Sequence, residues 1–105
     1  MGLTRSVKET VKARAARDPA FRDALRIEAV GQFLAGDIDT GEAVLRDDIN
    51  ATIGFEGLAE ATGTSSKSLM RRLGPLGNPT AGNLFNILRT VQRAAGIYLA
   101  VAAER

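Results

Sequence analysis

The chain has 105 residues and a formal net charge of +2, a size that suits one domain with one hydrophobic core. It contains no cysteine and no histidine, which excludes disulfides and removes the usual zinc ligands and the commonest general base. No apolar run approaches the length of a membrane span, and the N-terminal segment lacks the apolar core of a signal peptide. We therefore expect a cytoplasmic protein that is not an enzyme and holds no metal and no cofactor.

Charge is distributed unevenly along the chain. Residues 1–17 carry five bases and one acid, residues 18–63 carry three bases and ten acids, and residues 64–105 carry six bases and one acid. No acid occurs between Glu60 and Glu104. A long basic segment without acids suits a polyanion such as DNA, although a solvated surface with segregated charges would give the same pattern.

Strand signals are scarce, and the N-terminal segment predicts a helix from Arg5 onward. Val7 and Val11 are spaced i, i+4 on one face. Arg5, Lys8 and Lys12 share another face. This helix is either an auxiliary arm that contacts DNA or a solvated helix that packs through its two valines, and the sequence favours neither.

Two helices are predicted in the acidic segment. Asp18 and Pro19 are typical of an N-cap and a first helical residue, so a helix is expected over 19–35, ended by Gly36. A further helix is expected to start at a cap on Asp39 or Thr40 and to end at Gly54. The predicted inward positions of these two helices are Phe21, Leu25, Val30, Phe33, Leu34, Ala43, Val44, Ile49 and Ile53.

The segment 55–73 predicts two short helices joined by a tight turn. The first covers 55–62 with Leu58 and Ala59 inward, and Gly63 permits the positive φ that the turn needs. Ser65 or Ser66 caps the second helix, which runs to residue 73 and packs inward through Leu69 and Leu73.

A Gly- and Pro-containing loop follows this pair, and Thr80 is expected to cap a last helix that ends at Gly96. The inward positions of the last helix are predicted to be Leu84, Ile87, Leu88 and Val91. The segment 97–101 alternates like a strand, but it could also continue the helix; we favour the strand because glycine commonly ends helices.

The two short helices have the pattern of a DNA-binding helix-turn-helix, with apolar residues behind and polar or cationic residues in front. An ordinary helical bundle with a glycine corner is the alternative. The residues expected at the DNA are Ser65, Ser66, Lys67, Ser68, Met70, Arg71, Arg72, Asn78 and Thr80. Lys67 and Arg71 are expected to face the major groove, whereas Arg72 and the loop around Asn78 are expected to contact phosphates.

These motifs resemble the Xre/Cro-like helix-turn-helix proteins, and more closely a subgroup of addiction-module antidote (antitoxin) proteins. The matching features are Gly36-Asp37, Gly54, Leu58-Ala59, Gly63, Ser68-Leu69 and Gly77-Asn78-Pro79-Thr80. The chain departs from the family at Phe55, where many members carry a glutamine that contacts phosphate, and at Glu56, where the subgroup often has serine.

The resemblance implies an all-α, lambda-repressor-like bundle with a helix-turn-helix, to which this chain is expected to add two N-terminal helices and, if the favoured interpretation of its tail holds, a C-terminal strand. We divide the chain into an N-terminal extension (1–36), a helix-turn-helix domain (37–96) and a tail (97–105) that is expected to take part in dimerisation. The implied function is a homodimeric repressor that binds double-stranded DNA, and in antidote systems also a toxin of the RelE/ParE superfamily. A solitary regulator, or a helical protein-interaction module that never touches DNA, is the alternative.

Overall fold

The chain folds into an all-α bundle, seen in a computed structural model that describes residues 5–105, with side chains from Glu9 onward. No strand occurs in this range. None of its helices is long and apolar enough to cross a membrane. The helices are α1 (Arg5–Arg17), α2 (Pro19–Leu34), α3 (Ile38–Ala51), α4 (Gly54–Thr62), α5 (Ser66–Arg72) and α6 (Ala81–Ala95).

The junction between α1 and α2 is built as the sequence predicts. Asp18 has extended backbone, and its carboxylate accepts a hydrogen bond from the Phe21 amide at 3.2 Å. Pro19 is the first helical residue. The Arg14 guanidinium lies 4.5 Å from the centre of the Phe21 ring, a cation–π contact across the junction. Arg14 therefore has a structural role within the bundle.

The two interpretations of α1 depend on side chains that lie outside the described residues. These are the side chains of Arg5, Val7 and Lys8. Of the residues that are described, Val11 is half-buried, Lys12 is exposed and Ala15 is fully buried. Ala15 thus lies on the side of α1 that packs against α2 and α3.

The inward face of α2 differs from the predicted stripe. Arg26 and Ala29 are its buried residues, whereas Leu34, predicted to face inward, is 79% exposed. Leu34 is five residues beyond Ala29 and therefore lies roughly 140° away from it around the helix axis. Phe33, at a rotation close to that of Ala29, does pack against the core.

Helix α3 starts and ends earlier than predicted. Its N-cap is Asp37 rather than Asp39 or Thr40: the Asp37 carboxylate accepts from the Thr40 amide at 3.2 Å. At the other end Thr52 follows the last helical residue, and its hydroxyl donates to the Asp48 carbonyl at 2.7 Å. Gly54, predicted to end α3, has a φ of 74° and begins α4 instead.

One apolar core contains residues from each of the five helices α2 to α6. Its buried members are Ala29, Leu45, Ile49, Phe55, Leu58, Leu69, Leu73, Ile87, Leu88 and Val91. The predicted stripe of α6 is confirmed, with Leu84 partly buried and the other three buried. Leu45 is fully buried but was absent from the predicted set. Because Ala29 of α2 belongs to this core, the second helix shares its hydrophobic interior with α4, α5 and α6.

The C-terminal segment, residues 97–105, forms neither of the predicted structures. Gly96 has a φ of 71° and its amide donates to the carbonyls of Gln92 and Arg93, so α6 ends there and the helical alternative is wrong. The favoured strand is also not found, because no other part of the described chain pairs with this segment and a lone strand has no hydrogen-bonding partner. Instead, the Leu99 amide donates to the Gln92 side-chain oxygen at 2.7 Å.

Candidate nucleic-acid interface

The turn between α4 and α5 has the predicted left-handed glycine. Gly63 has a φ of 73°, and its amide donates to the Ala59 carbonyl at 2.9 Å. The Thr62 hydroxyl donates to the Leu58 carbonyl at 2.8 Å and accepts from the Thr64 amide at 3.3 Å. These bonds pair the carbonyls of Leu58 and Ala59 near the end of α4 and connect the turn to that helix.

The N-cap of α5 is Ser65 and not Ser66, the other serine that the sequence analysis considered. Ser65 has extended backbone, and its hydroxyl oxygen accepts from the Ser68 amide at 3.1 Å. The Ser65 and Ser68 hydroxyls lie 2.9 Å apart, and the Arg71 guanidinium lies 3.5 Å from the Ser68 hydroxyl. Three predicted DNA-contacting residues are therefore connected by hydrogen bonds along one side of α5.

Helix α5 has one buried face and one face turned to solvent. Leu69 and Leu73 are 1% and 0% exposed and belong to the core. Lys67, Met70 and Arg71 are exposed. Ser66 and Ser68, predicted to lie beside these three, are half-buried. We call Lys67, Met70 and Arg71 the outer face of α5; it presents two cations and one apolar side chain, and α5 itself contains no acid.

The loop after α5 returns to the C-terminal end of that helix. The Gly77 amide donates to the Gly74 carbonyl at 2.9 Å. A Cβ at Gly77 would overlap the carbonyl oxygens of Arg71 and Arg72, so this close approach requires glycine. Asn78 follows directly and is exposed, whereas the side chain of Arg72 is half-buried. The loop thus brings Asn78 near the last turn of α5.

Thr80 caps α6 as predicted. Its backbone is extended, its hydroxyl oxygen accepts from the Asn83 amide at 3.1 Å, and the residue is exposed. The cap uses the oxygen as an acceptor and leaves the hydroxyl hydrogen to donate outward. A phosphate near this helix start would meet both that hydroxyl and the first amides of α6.

Arg46 is a residue that the sequence analysis missed. It lies on α3, half-buried, and its Nη1 donates to the carbonyl of Leu73, which ends α5. A cation and a hydrogen-bond donor at the C-terminal end of a helix stabilise its last carbonyls. No local pattern could have identified this contact, because its two residues are 27 positions apart.

The two departures from the family pattern occupy different environments. Phe55 is 6% exposed and belongs to the core, so its side chain packs α4 onto the bundle and cannot contact a phosphate. Glu56, the next residue, is exposed. Its carboxylate would repel any phosphate that came close to the start of α4.

A charged pair lies buried between α2 and α3. Arg26 of α2 and Asp48 of α3 are 1% and 0% exposed. The Arg26 Nε and Nη2 donate to the two Asp48 carboxylate oxygens at 3.1 and 3.2 Å. Burial raises the pKa of the Asp48 carboxyl, and the Arg26 guanidinium acts in the opposite direction. The sequence contains one signal for this pair: Arg26 and Asp48 each occupy a helix position at which the helical period predicts a buried apolar residue.

No group of three or more acidic, histidine or cysteine side chains in residues 9–105 is arranged to hold a metal ion. The chain matches no family model, no curated protein and no solved structure. Its resemblance to the Xre/Cro-like antidote proteins therefore stays a prediction from the motifs in its sequence.

Proposed function

We propose that this protein is a sequence-specific regulator of transcription that binds double-stranded DNA through α4 and α5. The single observation that carries the proposal is the construction of α5. Leu69 and Leu73 hold one side of the helix in the core, while Lys67, Met70 and Arg71 are exposed on the other. A helix that enters the major groove needs this division between a packed face and a cationic, polar face.

Within this proposal the side chains have two kinds of role. Lys67 and Arg71 read base edges, for which a well-placed base contact contributes about 1–3 kcal/mol of discrimination. Ser66, Ser68 and Met70 lie beside them. The phosphate contacts come from Ser65, Arg72, Asn78 and Thr80, and they set the position of the protein along the duplex without reading sequence.

The test is a mobility-shift or anisotropy titration on the DNA upstream of the protein's own gene and on random DNA, each over a series of salt concentrations. Lys67→Ala and Arg71→Ala should reduce the preference for the specific DNA. Arg93→Ala, an exposed cation on α6, is the matched control and should keep it. If both α5 variants bind the two DNAs like the wild type, the assignment of α5 is wrong.

Phosphate contacts have a different signature in the same assay. Arg72→Ala should lower the slope of log affinity against log salt by roughly one unit and leave the sequence preference intact. A variant that keeps the wild-type slope but prefers another sequence would contradict the role assigned to Arg72.

We also propose that the protein is a homodimer and that the C-terminal segment contributes to the interface. Ile97 and Val101, which share one face of an extended segment, are 37% and 95% exposed, and a second copy could pair with the segment and cover them. A dimer would read two half-sites about 34–36 Å apart. Light scattering at micromolar concentration should give a dimer mass, and Val101→Asp should give folded monomers that bind the operator more weakly. A monomer mass for the wild type contradicts the proposal.

A second candidate function, binding a basic protein such as a RelE/ParE-like toxin, is favoured by the corner between α2 and α3. Leu34 and Ile38 are 79% and 45% exposed there, next to the exposed acids Asp37 and Asp39. Apolar side chains with acids beside them suit a basic partner.

The test of this second function is co-expression with the product of the adjacent gene. Leu34→Ser should abolish rescue of the cells from a toxic product, while DNA binding persists. If rescue survives both Leu34→Ser and Ile38→Ser, the corner between α2 and α3 is not the binding surface for that product.

A further inference from the structure

A cavity of about 390 Å³ lies between α2, α6 and the C-terminal segment. Most of its wall is apolar, and it includes Leu88 of the core, Phe85 of α6 and Leu99 of the C-terminal segment. Phe85 is 67% exposed, so an aromatic ring borders the opening. A volume of this size is within the range of small-molecule sites in proteins.

The polar groups of the cavity are cationic or neutral. Arg26, Arg89 and Gln92 line it, and none of the described lining residues carries a negative charge. Arg26 is 1% exposed; its Nε and Nη2 bind Asp48, but its Nη1 has no hydrogen-bond acceptor among the described residues. Buried donors are nearly always paired, so the buried Nη1 of Arg26 lacks the acceptor that such a donor usually has. Because Asp48 compensates the charge of Arg26, the exposed Arg89 supplies the net positive charge of the site.

We propose that this cavity binds a small carboxylate with an apolar body, such as an arylalkanoic acid. The carboxylate supplies an acceptor for the exposed guanidinium of Arg89, and it reaches the buried Nη1 of Arg26 when the side chains that cover that atom move aside. The aryl or alkyl part lies against Leu88, Phe85 and Leu99. The inference goes beyond the proposed function and does not depend on it, since no DNA and no second copy of the chain enters it.

Ligand binding at this site would also affect the C-terminal segment. Leu99 and Val101 line the cavity, and the Leu99 amide is held by Gln92, which lines it too. A molecule in the cavity therefore contacts both α6 and the segment after Gly96. Its binding stabilises one position of that segment relative to α6.

The experiment is a titration of the full, ¹⁵N-labelled chain with 4-phenylbutyrate and, as the uncharged match, 4-phenylbutanol. We expect saturable NMR shifts at the Leu99 amide, the Gln92 side-chain amide and the Arg26 Nε–H. A ligand of this size should bind with a Kd on the order of a millimolar. The acid should bind about tenfold more tightly than the alcohol, as a charged hydrogen bond would give.

Variants are chosen at exposed positions so that the fold is kept. Arg89→Gln should weaken binding of the acid several-fold, while Arg93→Gln, an exposed arginine on α6 that does not line the cavity, should leave it unchanged. Phe85→Ala should weaken the acid and the alcohol alike. The proposal is overturned if the acid and the alcohol bind with equal affinity, or if the two arginine variants bind the acid equally well. It is also overturned if the NMR shifts are confined to other residues, or if no shift appears at roughly ten times the expected Kd.

Discussion

Arg46 of α3 donates a hydrogen bond to the main-chain carbonyl of Leu73, at the end of α5. The buried apolar face of α5 is therefore supplemented by a polar contact at Leu73, the residue that directly follows the helix. Since α5 has only seven helical residues, this contact lies within its final turn and close to Arg71 and Arg72.

Arg46→Met should keep the aliphatic stem and remove the donor. We expect a loss of about 1–3 kcal/mol in the free energy of unfolding, the range of a hydrogen bond to a charged group. Amide hydrogen exchange should become faster in α5, and DNA binding should weaken at every sequence without a change in preference. Arg93→Met, exposed on α6, is the control. Unchanged exchange in α5 would show that Arg46 does not stabilise it.

The buried pair of Arg26 and Asp48 predicts non-additive effects of substitution. Removing one partner leaves an uncompensated buried charge, so Arg26→Met and Asp48→Leu should each cost about 3–5 kcal/mol. The double variant should be more stable than either single variant, because both charges are then absent. Urea denaturation of the four proteins measures this. Additive losses would mean that the two side chains contribute independently.

Two glycines should respond oppositely to alanine. A Cβ at Gly77 would overlap the carbonyl oxygens of Arg71 and Arg72, so Gly77→Ala should destabilise the loop and the end of α5. Gly31 lies exposed within α2, and a methyl group there would meet no neighbouring atom, so Gly31→Ala should stabilise the protein by about 0.5–1 kcal/mol. Thermal denaturation should show shifts of opposite sign, and a stabilising Gly77→Ala would contradict the close approach of the loop.

Glu42 predicts a pH-dependent contribution to stability. Burial, together with the neighbouring charge of Asp39, raises the pKa of the Glu42 carboxyl above its ordinary 4.5, and Arg46 offsets part of this. The folded state therefore binds the proton more tightly than the unfolded state, and the contribution of Glu42 to stability falls as pH rises from 4.5 through the folded pKa.

Glu42→Gln removes this titration. The stability of the variant relative to the wild type should therefore increase with pH across the same window and become constant above it. Urea denaturation of both proteins between about pH 4 and pH 7 provides the comparison. A difference that stays constant throughout would show that the carboxyl of Glu42 titrates alike in the folded and unfolded states.

The helix-turn-helix segment was largely predictable because its structure depends on neighbouring residues. The cap at Ser65 or Ser66, the turn at Gly63, the inward pair Leu69 and Leu73, and the cap at Thr80 each involve residues within a few positions of one another. Capping, positive φ and helical period are local effects, so they can be inferred from residues that are close together in the sequence.

The tertiary structure decided which residues pair across helices. Arg26 meets Asp48 over 22 positions, and Arg46 meets Leu73 over 27. Even the cap of α3 depended on where the chain leaves α2, and Asp37 was preferred to two other capping residues close by. The sequence by itself determined that six helices form and that Lys67, Met70 and Arg71 of α5 are exposed, because these follow from local periodicity and capping; the bounds of α3 and the half-buried positions of Ser66 and Ser68 did not follow from it. Only the packing of α2 on α3, and the approach of Leu73 to Arg46 of α3, determined which charges are buried and which carbonyl receives an arginine, because such contacts form only when distant segments meet in the folded chain.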